Sequence, residues 1–389
     1  MGDEITPSLE NIRKNYNFDE ACQAALNFLT AMSYMRENKY DRAIENFENI
    51  NEVLDNKFRP FYCYALAYSY EDKGNYEKAN YYYNQSNIAE YYQQNTLFIF
   101  WRDWGWCQRL NNEYEDSLGY YQKAWDIANI IQNHLYQARI LYSIASLFQN
   151  WGKYQQAVDY YQRSKDIYQQ LGRDENVANQ WYFIANCYRE SGEYEQAVEC
   201  EKKDLEIRQQ SNDQVNIADA YYQLGSIYQD WAKHELAISF YQLSKDIYQQ
   251  LGRDEDVADL WYLLAYCYRL WGKYKQAVEC QNEDLVIRQK LNDQVNIADA
   301  CYEIGRIYQD WGKYELSVNY YQQSKDIHQQ LGRDKNVANQ YYWLANSYRL
   351  WGKYEQAIES QNQCLIIRQQ LDDQAGIALT YYQLGMIYI

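Results

Sequence analysis

The tetrapeptide Trp151-Gly152-Lys153-Tyr154 returns as Trp271-Gly272-Lys273-Tyr274, Trp311-Gly312-Lys313-Tyr314 and Trp351-Gly352-Lys353-Tyr354, with weaker copies at Ser191-Gly192-Glu193-Tyr194 and Trp231-Ala232-Lys233-His234. The spacing is a constant 40 residues. A fixed period of this size defines a solenoid, in which each unit buries its apolar face only against its neighbours. Such an array adds one core layer per repeat, so the 389 residues need not divide into separate globular domains.

Within a unit the apolar pattern is helical. Tyr221, Leu224, Gly225 and Tyr228 mark one helix face, and Ala237, Tyr241 and Ser244 mark a second after a polar break. The slot of Gly225 reads Ala185, Ala265, Gly305, Ala345 and Gly385 elsewhere. Only a small side chain is used there, which predicts the closest approach of two paired helices. The chain has only two prolines, Pro7 and Pro60, so helix breakers are nearly absent. Gly172, Gly252 and Gly332, in Leu-Gly-Arg-Asp, are expected to end second helices in the left-handed conformation, with Asp174, Asp254 and Asp334 as the next N-caps. Asn212-Asp213, Asn292-Asp293 and Asp372-Asp373 serve the same joints in the alternate repeats. The second helix is expected to be about a turn longer than in a 34-residue repeat. A longer period of 80 overlies the first: residues 163–190 match 243–270 at 20 of 28 positions.

These features resemble the tetratricopeptide repeat family, with Leu-Gly at positions seven and eight, Tyr at eleven, Ala at twenty and an aromatic at twenty-four. The Gly-Lys-Tyr turn and Leu-x-Ile-Arg at 205–208, 285–288 and 365–368 resemble the 40-residue kinesin-light-chain subtype. The paired asparagines of that subtype are replaced here by Tyr222-Gln223, Tyr302-Glu303 and Tyr342-Trp343, so its cargo rules do not transfer. The resemblance implies an all-α, right-handed α-solenoid (superhelix) of stacked helix-turn-helix units. Turn residues Tyr40, Tyr76, Tyr114, Tyr154, Tyr194, His234, Tyr274, Tyr314 and Tyr354 mark nine repeats. The expected organisation is residues 1–17 as an N-terminal segment with one short helix, 18–134 as three divergent repeats, 135–377 as six regular repeats, and 378–389 as a final first helix.

In this family the first helices line a concave face through positions two, five, six, nine, twelve and thirteen. Position five reads Phe28, Tyr64, Arg102, Tyr142, Tyr182, Tyr222, Tyr262, Tyr302, Tyr342 and Tyr382, aromatic in nine of ten. Tyrosine offers a rigid apolar body with a polar tip, as binding surfaces favour. The same rings are equally suited to packing between neighbouring first helices. Asn186 and Asn346 at position nine suit the main chain of an extended peptide, and Arg189, Arg269 and Arg349 at position twelve suit a carboxylate. The alternative for these groups is a self-compensating surface in which Arg269 pairs with acids of the next repeat. The turn tryptophans Trp151, Trp231, Trp271, Trp311 and Trp351 are read as staples between repeats, or as an outer docking stripe.

The charge of −17 repels phosphate backbones, so no nucleic-acid partner is expected. No apolar run spans a bilayer, and no membrane partner is expected. Nine cysteines without C-x-x-C spacing suit a reducing, cytoplasmic setting, with Cys187, Cys267 and Cys301 as small buried hydrophobes. His134, His234 and His328 are scattered. No metal, phosphate-loop or nucleophile motif is present, so no catalytic residue, cofactor or metal is expected. Asn84-Gln85-Ser86 is a chance match to a glycosylation acceptor.

The expected function is a non-catalytic scaffold holding an extended peptide or partner domain in its concave groove. The acidic-tail clamp of tetratricopeptide co-chaperones is not reproduced. The alternative is a sensor arm of a larger bacterial signalling ATPase or caspase-like protease, decided by whether the reading frame continues past Ile389. A pheromone-peptide receptor is disfavoured, because 17 N-terminal residues cannot hold a DNA-binding head. The apolar final helix is expected to be covered by further chain or by self-association.

Overall fold

The computed structural model describes residues 20–50, 59–86 and 94–388, with side chains from Ala24 onward. The expected N-terminal segment therefore lies outside the described residues. Those residues form nineteen α-helices and no strand, in two compact units, 1–191 and 192–389. The first unit holds α1 (Glu20–Arg36), α2 (Tyr40–Glu48), α3 (Arg59–Asp72), α4 (Tyr76–Gln85), α5 (Gln94–Leu110), α6 (Tyr114–Ile130), α7 (His134–Asn150), α8 (Tyr154–Gln170) and α9 (Asp174–Glu190). The second holds α10 (Tyr194–Ser211), α11 (Gln214–Asp230), α12 (His234–Gln250), α13 (Asp254–Leu270) and α14 (Tyr274–Lys290). It continues with α15 (Gln294–Asp310), α16 (Tyr314–Gln330), α17 (Asp334–Leu350), α18 (Tyr354–Gln370) and α19 (Gln374–Tyr388). Each unit is an α-solenoid of stacked helical hairpins, and each of the nine turn residues opens a second helix.

The stacking follows from where small side chains stand. At family position twenty, Ala43, Ala79, Ser117, Ala157, Ala197, Ala237, Ala277, Ser317 and Ala357 are all fully buried. The two serines keep their hydroxyls bonded: Ser117 donates to the Gly105 carbonyl at 2.7 Å, and Ser317 meets Ser347 at 3.0 Å. Without such partners a buried hydroxyl costs roughly 1–3 kcal/mol. The expected close approach at the Gly225 slot is present. A Cβ there would stand 2.6 Å from the Tyr241 ring, and at Gly305 it would stand 2.8 Å from Tyr321.

The joints are more uniform than the 40-residue period suggests. Lys153 N–H donates to the Phe148 carbonyl at 2.8 Å and Gly152 N–H to Gln149 at 3.0 Å. After the second helix, Arg173 N–H bonds Tyr168 at 3.0 Å and Gly172 N–H bonds Gln169 at 3.1 Å. Both are the paired closure of a left-handed C-terminal cap. Gly172, Gly252 and Gly332 take φ of 64°, 69° and 66° as expected. From α7 to α18 nearly every helix is 17 residues long, so the second helix is no longer than the first; α10, with 18, is the exception.

One expectation fails. Asp174, Asp254 and Asp334 are the first helical residues, and the N-caps are Arg173, Arg253 and Arg333 without side-chain caps. The three-residue closure consumes one more residue than a simple cap, which moves each aspartate one place into the helix. There its charge faces the helix dipole instead of a backbone N–H. In the alternate joints Asp213 and Asp293 do cap, accepting from Asn216 and Asn296 N–H at 3.2 Å each, and Asp373 accepts from Gly376 N–H at 2.9 Å.

The turn tryptophans pack between repeats in three cases: Trp151 on Tyr114 at 5.5 Å, Trp231 on Tyr194 at 6.0 Å and Trp311 on Tyr274 at 6.2 Å. Their outer faces carry a lysine from the same turn, Lys153 lying 3.1 Å and Lys313 3.5 Å from the ring centres. Trp271 and Trp351 carry Lys273 and Lys353 in the same way, at 3.3 and 3.4 Å.

Candidate functional site

The position-five tyrosines divide their surface between core and solvent. Tyr142, Tyr222 and Tyr302 are half-buried, each with its ring against a fully buried second-helix tyrosine: Tyr161 at 5.8 Å, Tyr241 at 5.9 Å and Tyr321 at 5.7 Å. Tyr182 and Tyr342 lie edge-on to the next residue, Phe183 at 5.1 Å and Trp343 at 5.3 Å. The Tyr342 hydroxyl accepts from Gln383 at 3.0 Å, tying α17 to α19. Tyr262 is 38% exposed and Tyr382 62%. These side chains therefore pack against the core on one side and keep an exposed edge on the other.

Three clefts open along these tyrosines. In the second unit one of about 490 Å³ lies over Tyr222 and Tyr262, and one of about 360 Å³ lies over Tyr262 and Tyr302. In the first unit a cleft of about 440 Å³ is lined by Tyr68, Arg102, Trp106 and Tyr142. The two clefts of the second unit share Asp259 and Tyr262, so they form one trough.

The polar anchors expected at positions nine and twelve are mostly engaged within the protein. Arg269 bonds Asp310 at 2.7 Å across successive first helices. Arg349 donates to Asn346 at 3.0 Å, and Arg189 lies 3.5 Å from Glu190. Asn186 is half-buried. None of these five residues lines a trough cleft.

What lines the trough instead is position two, a register the tyrosine ladder overshadows in the sequence. Asp219, Asp259 and Asp299 occupy it on α11, α13 and α15 and face a residue 29 positions later on the second helix. The Tyr248 hydroxyl bonds Asp219, and the Arg288 guanidinium bonds Asp259 and reaches Asp284 at 3.1 Å. His328 Nε2 stands 3.7 Å from Asp299. Burial pushes the Asp284 carboxyl up to about 6 against the opposing pull of Arg288. Burial lowers the His328 pKa and raises that of Asp299. Arg368 and Asn339 continue the series at 3.2 Å. The 40-residue recurrence of aspartate at 219, 259 and 299 was the available sequence signal.

The eight cysteines from Cys63 to Cys364 are free and buried. Burial holds the Cys187 and Cys267 thiols up at about 12, far from the reactive thiolate range. Among the described residues no cluster of three His, Cys, Asp or Glu side chains is placed to hold a metal ion, and no helix is long and apolar enough to cross a membrane.

Helical hairpins stacked around small residues, with an aromatic ladder along the first helices, define a helical-repeat solenoid. Residues 131–295 match the family model of the soluble NSF attachment protein, SNAP, and residues 298–331 and 339–370 match that of the tetratricopeptide repeat. The repeats of this chain are of the tetratricopeptide type. Among solved structures it is similar to the apo form of RapI, with 15% identity over 90% of this chain and 99% of that one and a TM-score of 0.57. A STAND ATPase with a tetratricopeptide repeat sensor from Pyrococcus horikoshii shares 13% identity over 98% of this chain and 62% of its own, with a TM-score of 0.53. Aspartyl phosphate phosphatase F from Bacillus subtilis shares 12% identity over 91% and 96%, with a TM-score of 0.51. These likenesses are of fold. Among curated proteins none matches this sequence.

Proposed function

We propose that the protein is a non-catalytic interaction scaffold that receives an extended peptide, or an extended segment of a partner domain, along its first-helix face. The observation that carries this reading is the coincidence of the clefts with the position-five ladder, Tyr142 in the first unit and Tyr222, Tyr262 and Tyr302 in the second. Tyr142, Tyr222 and Tyr302 are fixed from below by buried rings, so little side-chain entropy is lost when a ligand covers their exposed edges. Asn186, Asn346, Arg189, Arg269 and Arg349 flank the ladder as polar anchors, Arg269 already paired with Asp310 and Arg349 with Asn346, and Gln383 holds Tyr342. Tyr182 in the first unit and Tyr342 and Tyr382 in the second occupy the same repeat position and are further candidates for this contact.

The test is selection of peptides from a random display library on the full chain. Tyr262→Ala with Tyr302→Ala should abolish capture of the selected peptides while circular dichroism keeps the helical signal. Undiminished capture by the double variant would reject this face.

A second reading, a sensor arm attached to a signalling ATPase or protease, is supported by the likeness to the STAND protein, which spans 98% of this chain but 62% of that one. Its test is the coding sequence beyond Ile389. A catalytic domain in frame supports it, and a stop codon removes it.

A further inference from the structure

The trough of the second unit has a composition that selects among peptides. Over Tyr222 and Tyr262 it is lined by Asp219, Asp256 and Asp259, of which Asp256 pairs with Arg253 at 2.7 Å and Asp259 with Arg288. Over Tyr262 and Tyr302 it is lined by four carboxylates, Asp259, Asp284, Asp299 and Glu303, with Arg288 on Asp259 and Asp284 and Arg306 on Glu303 at 3.0 Å. The side chains of Asp259 and Asp299 are 67% and 55% exposed, so both remain open to a ligand.

A second observation concerns His328, which stands where Tyr168 and Tyr248 stand in equivalent helices. It is fully buried, and neither ring nitrogen has a hydrogen-bond partner. Its Nε2 is aimed at Asp299 on the trough wall, at 3.7 Å. A neutral imidazole at that distance neither neutralises nor hydrogen-bonds the carboxylate. Asp299 thus receives no hydrogen bond from His328, Arg333 is the other cation that acts on it, and its exposed side chain is open on the trough side.

We propose, on the reading that this face is the binding face, that the trough over Tyr222, Tyr262 and Tyr302 takes an extended cationic peptide. Its arginine or lysine heads meet Asp219, Asp259 and Asp299, and their alkyl stems lie along the tyrosine rings. The three aspartates occupy the same position on successive first helices, so an extended ligand that follows the trough meets them in turn. Guanidinium groups add a cation–π contact to the ring faces and bind carboxylates through two nitrogens, so arginine is preferred to lysine.

The experiment is fluorescence anisotropy on the full chain with three labelled probes of equal length, built from four Arg-Pro-Pro, Gln-Pro-Pro or Glu-Pro-Pro units. The arginine probe should bind at least about tenfold tighter than the glutamine probe, the glutamate probe should not bind, and added salt should weaken the arginine complex. Asp219→Asn with Asp259→Asn should weaken the arginine probe by about tenfold or more and leave the glutamine probe unchanged. If that variant loses helicity, Asp256→Asn with Asp299→Asn serves the same purpose. Tyr262→Ala with Tyr302→Ala should weaken all binding. Binding of the neutral or acidic probe that is equal to the arginine probe and lost in the tyrosine variant overturns the cationic specificity while leaving the face intact. Arginine binding untouched by every variant reduces it to attraction by the net charge of −17 and overturns both readings. No binding of any probe overturns the proposal.

Discussion

Gly225 and Tyr241 interlock: the glycine leaves room for a ring that a single added carbon would meet at 2.6 Å. The ring is fully buried and cannot swing away, and its hydroxyl bonds Gln229 at 3.1 Å and Ser226 at 3.2 Å. At Ala265 and Ala345 the facing second-helix residue is the slimmer Gln281 or Gln361, whereas Ala145 faces a fully buried ring, Tyr161.

Gly225→Ala is therefore expected to destabilise the protein. Overpacking costs about 1–3 kcal/mol, against roughly 1 kcal/mol gained in helix propensity. Adding Tyr241→Gln, which recreates the Ala265–Gln281 pairing, should make the double variant more stable than the sum of the single effects by about 1 kcal/mol. Urea unfolding of the four proteins measures this coupling, and strict additivity would reject the interlock.

Ala232 occupies a joint where Gly152, Gly272, Gly312 and Gly352 stand elsewhere, and it does so at φ 57°. A left-handed alanine costs about 1–2 kcal/mol. Ala232→Gly should accordingly raise stability by about 1 kcal/mol, seen as a higher urea midpoint at unchanged slope. Gly272→Ala should lower it by a similar amount, because open space surrounds that carbon and only the backbone resists.

The division of labour among tyrosines is testable in the same way. Tyr241 is fully buried, whereas Tyr262 is 38% exposed. Tyr241→Ala is expected to cost about 3–5 kcal/mol and Tyr262→Ala about 1 kcal/mol. Equal losses would assign the position-five ring wholly to the core and remove it from the candidate groove.

Glu71, on the wall of the first-unit cleft, has its carboxyl pushed up to about 8 by burial, with the Tyr83 hydroxyl at 2.8 Å pulling the other way. The folded state then binds this proton more tightly than the unfolded chain between about pH 4.5 and 8. Its contribution to stability is full below that window and is lost as pH rises through it. Glu71→Gln imitates the protonated form and keeps an acceptor for Tyr83. Thermal melts should show the variant gaining on the wild type as pH rises from 5 to about 8.5, with little difference at the acid end. A constant difference across that range would show that burial does not perturb this group.

Much of this was readable in the sequence because single positions carry it. The 40-residue period, the small residues at the slots of Gly225 and Ala237, and the left-handed glycines each announce one steric requirement. What stayed hidden involves partners far along the chain. Arg269 reads equally as a ligand anchor or as a partner for acids of the next repeat, and only Asp310, 41 residues on and 2.7 Å away, identifies the acid it meets. The position-two aspartates were missed because Arg139, Asn179 and Asn339 interrupt their run, and their facing groups sit 29 residues later. The misplaced N-caps at Asp174, Asp254 and Asp334 arose from counting a three-residue closure as two.

The sameness of the joints bears on how such a chain changes length. Because the link from first to second helix and the link onward close with the same two backbone hydrogen bonds, excising forty residues rejoins ends of matching geometry. Whole modules can be gained or lost without a new connector having to arise.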